Sequence, residues 1–419
     1  MSVRLVCAVC GSVLPTLSRR SSCPCGGLLD VVQRPRESGR TLRTRFDERF
    51  RDGDVSFAGS GVWRFRELLL PGRGEVLTHP EGDTPLLRRD AVARYVGCPD
   101  LALKHEGRNP TGSFKDRGMT VAVTHAVRSG ASAVACASTG NTSASMAAYA
   151  AQAGLRALVF VPAGKVAAGK LAQALAYGAR TLLVDGDFDT CLALARQASE
   201  RLGMALLNSI NPWRIEGQKT IVWELLQQLG WEAPDWIVVP AGNLGNTAAF
   251  GKALAEARAF GLLRRVPRLA AIQAKGASPF YRSFRTGFER RFRVKAETVA
   301  TAIRIGDPAS HDRAVRSIRA TRGVVTAVSD REILDAKAVI DAAGIGCEPA
   351  SAAAVAGVRR LAAERVLRPG QSVVAVLTGH LLKDPGIVME FHSRPGGRRN
   401  PPVAIAPRIA EVERQLRRR

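Results

Sequence analysis

Short apolar segments alternate with helix-forming ones along most of the chain, and this alternation constrains the fold more than any other feature. Parallel strands need a long crossover between them, so alternating strands and helices favour parallel sheets covered by helices. We therefore predict an α/β protein with two doubly wound parallel-sheet domains. The predicted strands form two series, the first at 133–137, 155–161 and 179–184, and the second at 236–240, 269–273, 323–328 and 373–377.

The order of the two series predicts the domain organisation. The first series is compact, and we assign it to a smaller, inserted domain. The second series, completed by a strand at Leu101–Lys104 and the helix after it, forms a larger domain. Ser329, with Glu332 three residues later, predicts the start of a helix that runs to Ala343. The predicted boundaries are 1–35 for a zinc-ribbon-like N-terminal segment, 36–130 and 211–391 for the large domain, 131–210 for the small inserted domain and 392–419 for a basic C-terminal tail.

The net charge of +24 is the extreme feature of the composition. A charge of this size attracts polyanions, so a nucleic-acid-binding protein is the alternative from a different functional class. The sequence contains no helix-turn-helix, aromatic RNA-binding motif or basic repeat. We therefore expect an enzyme with an arginine-biased composition, an anionic substrate and no nucleic-acid partner.

Two further features of the sequence concern where in the cell the protein is located. No run of about 18 apolar residues occurs, and the start at Met1–Cys7 lacks the apolar core of a signal peptide. We expect no membrane span and a cytoplasmic protein. The sequence does not determine the oligomeric state, for which a homodimer is one expectation.

Four of the 8 cysteines lie close together at the start of the chain. Two such pairs can supply four thiolates to one tetrahedral Zn²⁺ and so fold a segment too short for its own core. The two cysteines of the second pair are separated by one residue fewer than is usual for a zinc-binding pair. An equal alternative is that the segment is the remnant of such a site and binds no metal. We expect the other four cysteines to be buried small hydrophobes. The candidate zinc ligands are Cys7, Cys10, Cys23 and Cys25.

One lysine lies among small, turn-forming and aromatic residues, in the segment Asn109–Gly118. Ser113 or Thr111 is the expected N-cap of a helix that begins near Phe114. Lys115 would then lie in the first helical turn, where the helix dipole and partial burial lower the pKa of its amine. A neutral amine can form a Schiff base with an aldehyde cofactor. A solvated lysine at a helix start is the alternative interpretation.

Three loops that each follow a predicted strand carry further candidate residues. Gly242 and Gly245 let the backbone approach an anion, and the helix that follows directs free N–H groups at it, which predicts a phosphate cradle. The loop Ser138–Thr142 has the same setting, although an ordinary N-cap cluster is the alternative there. Thr378 ends the last strand, where ligands collect in open α/β sheets, and a turn threonine is its alternative.

A fifth segment, Asn208–Thr220, contains an arginine suited to binding an anion. The guanidinium of Arg214 can grip a phosphate through two parallel hydrogen bonds. A surface ion pair is the alternative role for this side chain.

The five segments, in their order along the chain, resemble the motifs of threonine synthases, which belong to the tryptophan-synthase-β-like, fold type II pyridoxal-phosphate enzymes. The resemblance covers about Thr84 to Pro385, and the N-terminal Cys-Gly-Gly-Leu-Leu string is also similar. It implies that Lys115 is the catalytic lysine that holds pyridoxal 5′-phosphate covalently. It also implies a cofactor site formed by Lys115, Asn141, Gly242, Asn243, Leu244, Gly245, Asn246 and Thr378, and a substrate site formed by Ser138, Thr139, Ser209 and Arg214.

The resemblance further implies the reaction. Threonine synthases convert O-phospho-L-homoserine and water to L-threonine and phosphate, by γ-elimination followed by β-addition. Within this reading, Arg214 and Ser209 hold the leaving phosphate, and the Glu348–Ala352 segment packs near the cofactor. A related lyase of the same fold is the alternative, either a threonine or serine dehydratase or a synthase that uses phosphoserine.

Overall fold

The computed structural model describes residues 2–52, 59–72, 74–164, 168–393 and 396–417. Within these ranges, strands and helices alternate as the sequence predicts. The strands are β1 Ser2–Cys7, β2 Val13–Leu14, β3 Leu29–Arg34, β4 Leu86–Leu87, β5 Leu101–His105, β6 Ala133–Ala137, β7 Arg156–Pro162, β8 Arg180–Val184, β9 Ala205–Leu206, β10 Trp236–Pro240, β11 Arg268–Ala274, β12 Val324–Val328 and β13 Val373–Leu377. The helices are α1 Gly39–Asp52, α2 Asp90–Val96, α3 Lys115–Arg128, α4 Asn141–Gln152, α5 Ala168–Ala176, α6 Phe188–Leu202, α7 Pro212–Gln228, α8 Gly245–Ala259, α9 Pro279–Arg285, α10 His311–Ala320, α11 Asp330–Ala342, α12 Pro349–Ala363, α13 Pro385–His392 and α14 Ile409–Arg417.

A six-stranded sheet organises the larger part of the protein. Its strand order is β12-β11-β10-β13-β5-β4, and all neighbours are parallel except β4 with β5. Every residue of β5, β10 and β13 is buried, because helices cover both faces of the sheet. The last strand of the sheet in the sequence, β13, lies between β10 and β5. It therefore brings the ends of three strands that are distant in the sequence to one edge.

A four-stranded sheet forms the second parallel layer, in the order β8-β7-β6-β9. Its carboxyl edge carries the loop between β6 and α4. Helix α3, which leaves the large sheet, packs against both α7 and α4. The predicted fold class, an α/β protein with two doubly wound parallel sheets, is confirmed.

The N-terminal cysteines belong to a small antiparallel sheet with the order β2-β1-β3. This sheet is joined to the main body through β3. Arg313 of α10 donates to Asp30 at 2.8 Å, and Lys252 of α8 donates to the carbonyl of Val31. Gln33 donates to the carboxylate of Glu216 on α7 at 2.5 Å. The N-terminal sheet is thus attached to helices α7, α8 and α10.

A buried ionic cluster connects β5, α3 and α7. Arg117 donates to Glu106 at 2.6 Å and to Glu224 at 2.7 Å, and Lys104 donates to Glu224 at 2.6 Å. These four side chains are fully buried. Buried charges are tolerated only when they are paired and hydrogen-bonded. The cluster fixes the helix that begins at Lys115 against its neighbours.

Two local predictions are confirmed, for the start of α11 and for the scattered cysteines. Ser329 and Glu332 form the reciprocal capping box at the start of α11. The four scattered cysteines, Cys98, Cys136, Cys191 and Cys347, are buried. The tail contains the short helix α14, which has no buried residues. In the described part of the chain, no helix is both long and apolar enough to span a membrane.

Candidate active site

The lysine segment is held against the end of β13. The Phe114 N–H donates to the Thr378 carbonyl at 3.0 Å, and the His380 N–H donates to the Gly112 carbonyl at 2.9 Å. Gly112 has a φ of +83°, a conformation that favours glycine. These backbone bonds place Lys115, the first residue of α3, beside the turn that contains Thr378.

The predicted N-cap of α3 was wrong. The cap position is Phe114, and neither Ser113 nor Thr111 caps the helix with its side chain. The Ser113 hydroxyl accepts only a long bond, 3.4 Å, from the Lys115 N–H. The Thr111 hydroxyl instead donates to Asp116 at 2.6 Å. The Asp116 carboxylate, in the first turn of the helix, thus accepts a hydrogen bond from the Thr111 hydroxyl, which the sequence pattern predicts as a possible N-cap.

The electrostatic environment of Lys115 favours the neutral amine. Burial and, to a smaller extent, the positive charge of Arg214 lower the pKa of Lys115 from 10.5 to about 7, against the opposing effect of Glu348. The amine lies 4.2 Å from the centre of the Phe114 ring. A lysine with a pKa close to neutrality is a competent nucleophile and proton carrier. The lowered pKa that the sequence predicts for Lys115 is therefore present, with burial as its main cause.

Polar side chains from both parallel sheets meet at the end of β13. The Thr378 hydroxyl lies 3.0 Å from that of Ser351 and donates to Glu348 at 3.4 Å. Asn141, the first residue of α4, donates to the other oxygen of Glu348 at 3.0 Å. Two predicted cofactor residues, Asn141 and Thr378, are thus brought together by a carboxylate.

The glycine-rich loop connects β10 to α8. Leu244 has a φ of +63° and forms the N-cap of α8 without a side-chain cap, so the first N–H groups of the helix are open to an anion. A Cβ at Gly242 would lie 2.8 Å from the Ile303 backbone. Asn243 connects the loop to its surroundings, since its side chain donates to the Ser209 hydroxyl at 2.6 Å and accepts from the Ala309 N–H at 2.7 Å.

Several buried polar atoms near this loop lack partners among the described residues. They include the hydroxyls of Thr247 and Ser310 and the side-chain oxygen of Asn246. Buried polar groups are normally hydrogen-bonded, and an exception calls for an explanation such as a ligand. A helix N-terminus with unpaired hydroxyls fits the phosphate group of pyridoxal phosphate.

Arg214 lies buried against the lysine helix, where a Cβ placed at Gly118 would lie 3.3 Å from the Arg214 Cβ. Its Nη1 donates to the Leu207 carbonyl at 3.0 Å, whereas Nε and Nη2 have no partner in the described chain. Burial lowers its pKa to about 10. Gln218, one helical turn further along α7, would contact a Cβ placed at either Gly118 or Gly245. Helix α7 thus joins the first turns of α3 and α8.

The remaining predicted substrate residues lie at two places. Ser138 and Thr139 lie in the loop between β6 and α4 and are partly exposed, and the Ser138 hydroxyl accepts from the Gly140 N–H at 3.3 Å. Ser209 lies just before α7 and is paired with Asn243 of the glycine-rich loop. Only Arg214 among these residues offers unpaired, buried donors.

The sequence interpretation gave no chemical role to Glu348, Ser351 or Gln218. Ser351 and Glu348 contact Thr378 directly. Gln218 separates the lysine helix from the glycine-rich loop. The sequence does contain a signal for Glu348 and Ser351, because the polar residues of the Glu-Pro-Ala-Ser segment lie at the start of an apolar helix. From the sequence, we predict only a packing role for this segment.

The four N-terminal cysteines converge. Their sulfur atoms all lie within 4.8 Å of one another, with Cys7 and Cys25 at 3.5 Å and Cys10 and Cys23 at 3.7 Å. Gly27 packs against Cys7, where a Cβ would lie 2.6 Å from its sulfur. The predicted grouping of these four residues is present.

Comparison with known proteins agrees with this site. A model of the family described as pyridoxal-phosphate dependent enzyme matches residues 77–379, and the chain belongs to that family. Relatives named threonine synthase come from Methanocaldococcus jannaschii, at 42% identity over 93% of this chain and 95% of the relative, and Methanosarcina acetivorans, at 44% identity over 93% and 95%. Within the family, the chain groups with these threonine synthases and is a pyridoxal-phosphate-dependent lyase.

A solved structure shows the same fold. The structure of threonine synthase from Escherichia coli superposes with a TM-score of 0.71, covering 98% of this chain and 94% of that one at 20% identity.

Proposed function

We propose that the protein binds pyridoxal 5′-phosphate at Lys115 and converts O-phospho-L-homoserine and water to L-threonine and phosphate. The observation that carries the proposal is the position of Lys115, which has a pKa of about 7 and lies beside both the β13 turn and the unpaired guanidinium of Arg214. A neutral amine next to an uncompensated buried cation suits a substrate with an amino group at one end and a phosphate at the other.

The cofactor would be held at three points. Gly242, Asn243, Leu244, Gly245 and Asn246 would surround its phosphate at the start of α8, with the Thr247 and Ser310 hydroxyls as further donors. Asn141 would donate to the oxygen on the ring. Thr378 would bond the ring nitrogen without a formal charge, which moderates electron withdrawal and suits elimination and replacement.

The substrate would be held at its two charged ends. Ser138 and Thr139, in the loop before α4, would bind the carboxylate. Arg214 would bind the phosphate through Nε and Nη2, the two donors that have no partner in the described chain. Ser209 would assist from the side of the glycine-rich loop.

The chemistry needs protons to move at three carbon atoms. When bound, the cofactor withdraws electrons from Cα, so that C–H bonds at Cα and Cβ become acidic and phosphate can leave Cγ. Lys115, once the substrate amine takes its place, would carry protons to and from these carbons as a neutral amine. Arg214 would stabilise the departing phosphate, and burial of the site would exclude water until the addition at Cβ.

Product analysis tests the proposal. Purified protein with O-phospho-L-homoserine should release phosphate and threonine in equal amounts. Release of 2-oxobutyrate without threonine would instead indicate the alternative, a dehydratase. A Lys115→Ala variant should lose the visible absorbance of the covalently held cofactor, and a variant that stays yellow would refute the role of Lys115.

We also infer that the chain divides into domains at the predicted boundaries. The small domain, 131–210, would contain the four-stranded sheet, and the large domain, 36–130 and 211–391, the six-stranded sheet. The substrate would enter between them, where the α4 loop faces the end of β13. Limited proteolysis should cut first near residue 131 or 211 if this division is correct.

Zinc is our proposal for the cysteine cluster. Four thiolates at about 2.3 Å from Zn²⁺ lie about 3.8 Å apart in a tetrahedron. Three sulfur pairs among Cys7, Cys10, Cys23 and Cys25 are 3.4–3.7 Å apart, and all four sulfurs lie within 4.8 Å of one another. Elemental analysis should find one zinc per chain, and its absence would favour a metal-free remnant.

A further inference from the structure

The carboxylate of Glu348 lies where the two parallel sheets meet. One oxygen accepts from Asn141 Nδ2 at 3.0 Å, and the other accepts from the Thr378 hydroxyl at 3.4 Å. Asn141 begins α4 beside the four-stranded sheet, whereas Glu348 and Thr378 belong to the six-stranded sheet and its helices. A single side chain therefore contacts both residues that we assign to the two edges of the cofactor ring.

The turn after β13 is shaped around this carboxylate. A Cβ at Gly379 would lie 2.4 Å from the carboxyl group of Glu348, so a larger residue there would displace this side chain. The Glu348 N–H also donates to the Gly379 carbonyl at 3.0 Å, and the Gly379 N–H donates to the Ser351 hydroxyl at 2.9 Å. These contacts fix Glu348 at the end of the strand, and its side chain is buried.

The chemistry of the amide makes this contact directional. An ionised carboxylate only accepts hydrogen bonds, so it selects the orientation of Asn141 in which the nitrogen faces Glu348. The amide nitrogen carries two hydrogens. One is used by Glu348, and the other stays available to donate to a ligand oxygen.

Four groups face the Glu348 carboxylate from different elements. They are Asn141 of α4, Thr378 after β13, Lys115 of α3 and Lys383 of the short helix at 381–383. Burial raises the pKa of Glu348, and Asn141, Lys383, Lys115 and Thr378 oppose that rise. In turn, Glu348 raises the pKa of Lys115.

We propose that Glu348 is a positioning residue, which orients the Asn141 amide toward the ring oxygen of the cofactor and places a negative charge beside the nitrogen of Lys115. The inference rests on the proposed function, because it presupposes that the cofactor lies between Asn141, Thr378 and Lys115. The carboxylate itself touches neither substrate nor cofactor.

A double-mutant cycle on the holoenzyme tests the first half of the proposal. Glu348→Gln, Asn141→Ala and the double variant are dialysed, and cofactor retention is followed by visible absorbance. Each single variant should lose cofactor affinity by about tenfold, as expected for one hydrogen bond. Above the midpoint of the visible transition, where the Lys115 nitrogen is unprotonated and the charge of Glu348 does not stabilise it, the double variant should bind no more weakly than Asn141→Ala. Additive losses at this pH would overturn the first half of the proposal, since they would mean that Glu348 does not act through Asn141.

The pH dependence of the holoenzyme spectrum tests the second half. Removing a negative charge beside a protonated nitrogen destabilises the protonated form, so the midpoint of the visible transition should fall by about one pH unit in Glu348→Gln. Glu348→Asp, which keeps the charge, should retain the midpoint of the unmodified protein. A midpoint unchanged in Glu348→Gln would contradict the electrostatic role.

A matched control separates positioning from folding. Glu332→Gln changes the same kind of side chain at the start of α11, away from Asn141 and Thr378, and glutamine can keep its capping bond. This variant should keep both cofactor affinity and midpoint. None of these measurements uses the substrate, so their failure is distinct from a failure of the proposed reaction, which product analysis alone decides.

Discussion

Two fully buried arginines lie on neighbouring helices, and their surroundings are opposite. Arg117 on α3 is paired with Glu106 and Glu224, and these carboxylates hold its pKa above the usual range. Arg214 on α7 has one carbonyl partner and two unpaired nitrogens, and burial lowers its pKa to about 10. Burial alone does not reveal what a charge is for, whereas the number of satisfied donors does. A saturated guanidinium stabilises the fold, and an unsatisfied one is available to a ligand.

Removal of the saturated arginine should have the largest effect. Arg117→Met leaves the carboxylates of Glu106 and Glu224 without their main partner, at a cost of about 3–5 kcal/mol in the free energy of unfolding. Denaturant unfolding of the variant and the unmodified protein measures this difference. A loss below 1 kcal/mol would break the distinction between the two arginines.

The unsatisfied arginine should behave in the reverse way. Arg214→Met removes an uncompensated buried charge, so the unfolding midpoint should stay the same or rise. Each lost charge-assisted bond to the substrate phosphate is worth about 1.5–3 kcal/mol, and kcat/KM should therefore fall at least tenfold. Steady-state kinetics checks the expected fall in kcat/KM, and thermal unfolding of the same preparation checks the expected unfolding midpoint. An unchanged kcat/KM would remove Arg214 from the substrate site.

The pH dependence of cofactor capture sharpens the comparison further. Lys115 has a pKa of about 7, so the rate at which cofactor-free protein takes up pyridoxal phosphate should rise with pH and reach half its maximum near pH 7. Loss of the Arg214 charge should move this midpoint to higher pH. Stopped-flow absorbance gives the midpoint, and a downward shift in Arg214→Met would contradict the assigned cause.

The same lowered pKa has a consequence for stability. Between pH 7 and 10.5, the unfolded chain carries a proton on Lys115 that the folded, cofactor-free chain lacks. The contribution of Lys115 to stability therefore increases as the pH rises through this window. A Lys115→Met variant, compared with the unmodified protein, should lack this dependence.

An exposed arginine supplies the smallest expected effect. Arg88 pairs with Asp100 at 2.5 Å, and the two side chains are 57% and 46% exposed. Arg88→Ala should change the free energy of unfolding by less than about 0.5 kcal/mol, because water and salt screen the pair. A loss comparable to that of Arg117→Met would show that pairing matters more than burial.

Much of the fold follows from local patterns in the sequence. Strands β6 and β10 are continuous apolar runs, the helix after Ser329 has a capping signal, and all three form as predicted. Strands β4 and β9 contain two residues each, and such short strands carry no periodic signal. Their existence depends on a neighbouring strand rather than on their own residues.

The candidate site, like the fold, has parts that local sequence patterns predict and parts that they do not. The chemistry of Lys115 follows from its own segment, because turn residues and a helix start are local features. The role of Glu348 depends on Asn141, 207 residues earlier, and no local signal encodes that contact. The N-cap prediction failed for a related reason, since the Asp116 carboxylate competes for the Thr111 hydroxyl. Local patterns thus predict the proposed reacting group, while its supporting contacts come from the tertiary fold.

The central place of β13 has a consequence for synthesis of the protein on the ribosome. This strand separates β10 from β5, so the sheet stays open until residue 377 has left the exit tunnel. The backbone bonds between the lysine segment and the Thr378 turn can form only then. Until then the nascent chain has no complete place for a vitamin B6 derivative, and capture of the cofactor must wait for β13 to emerge.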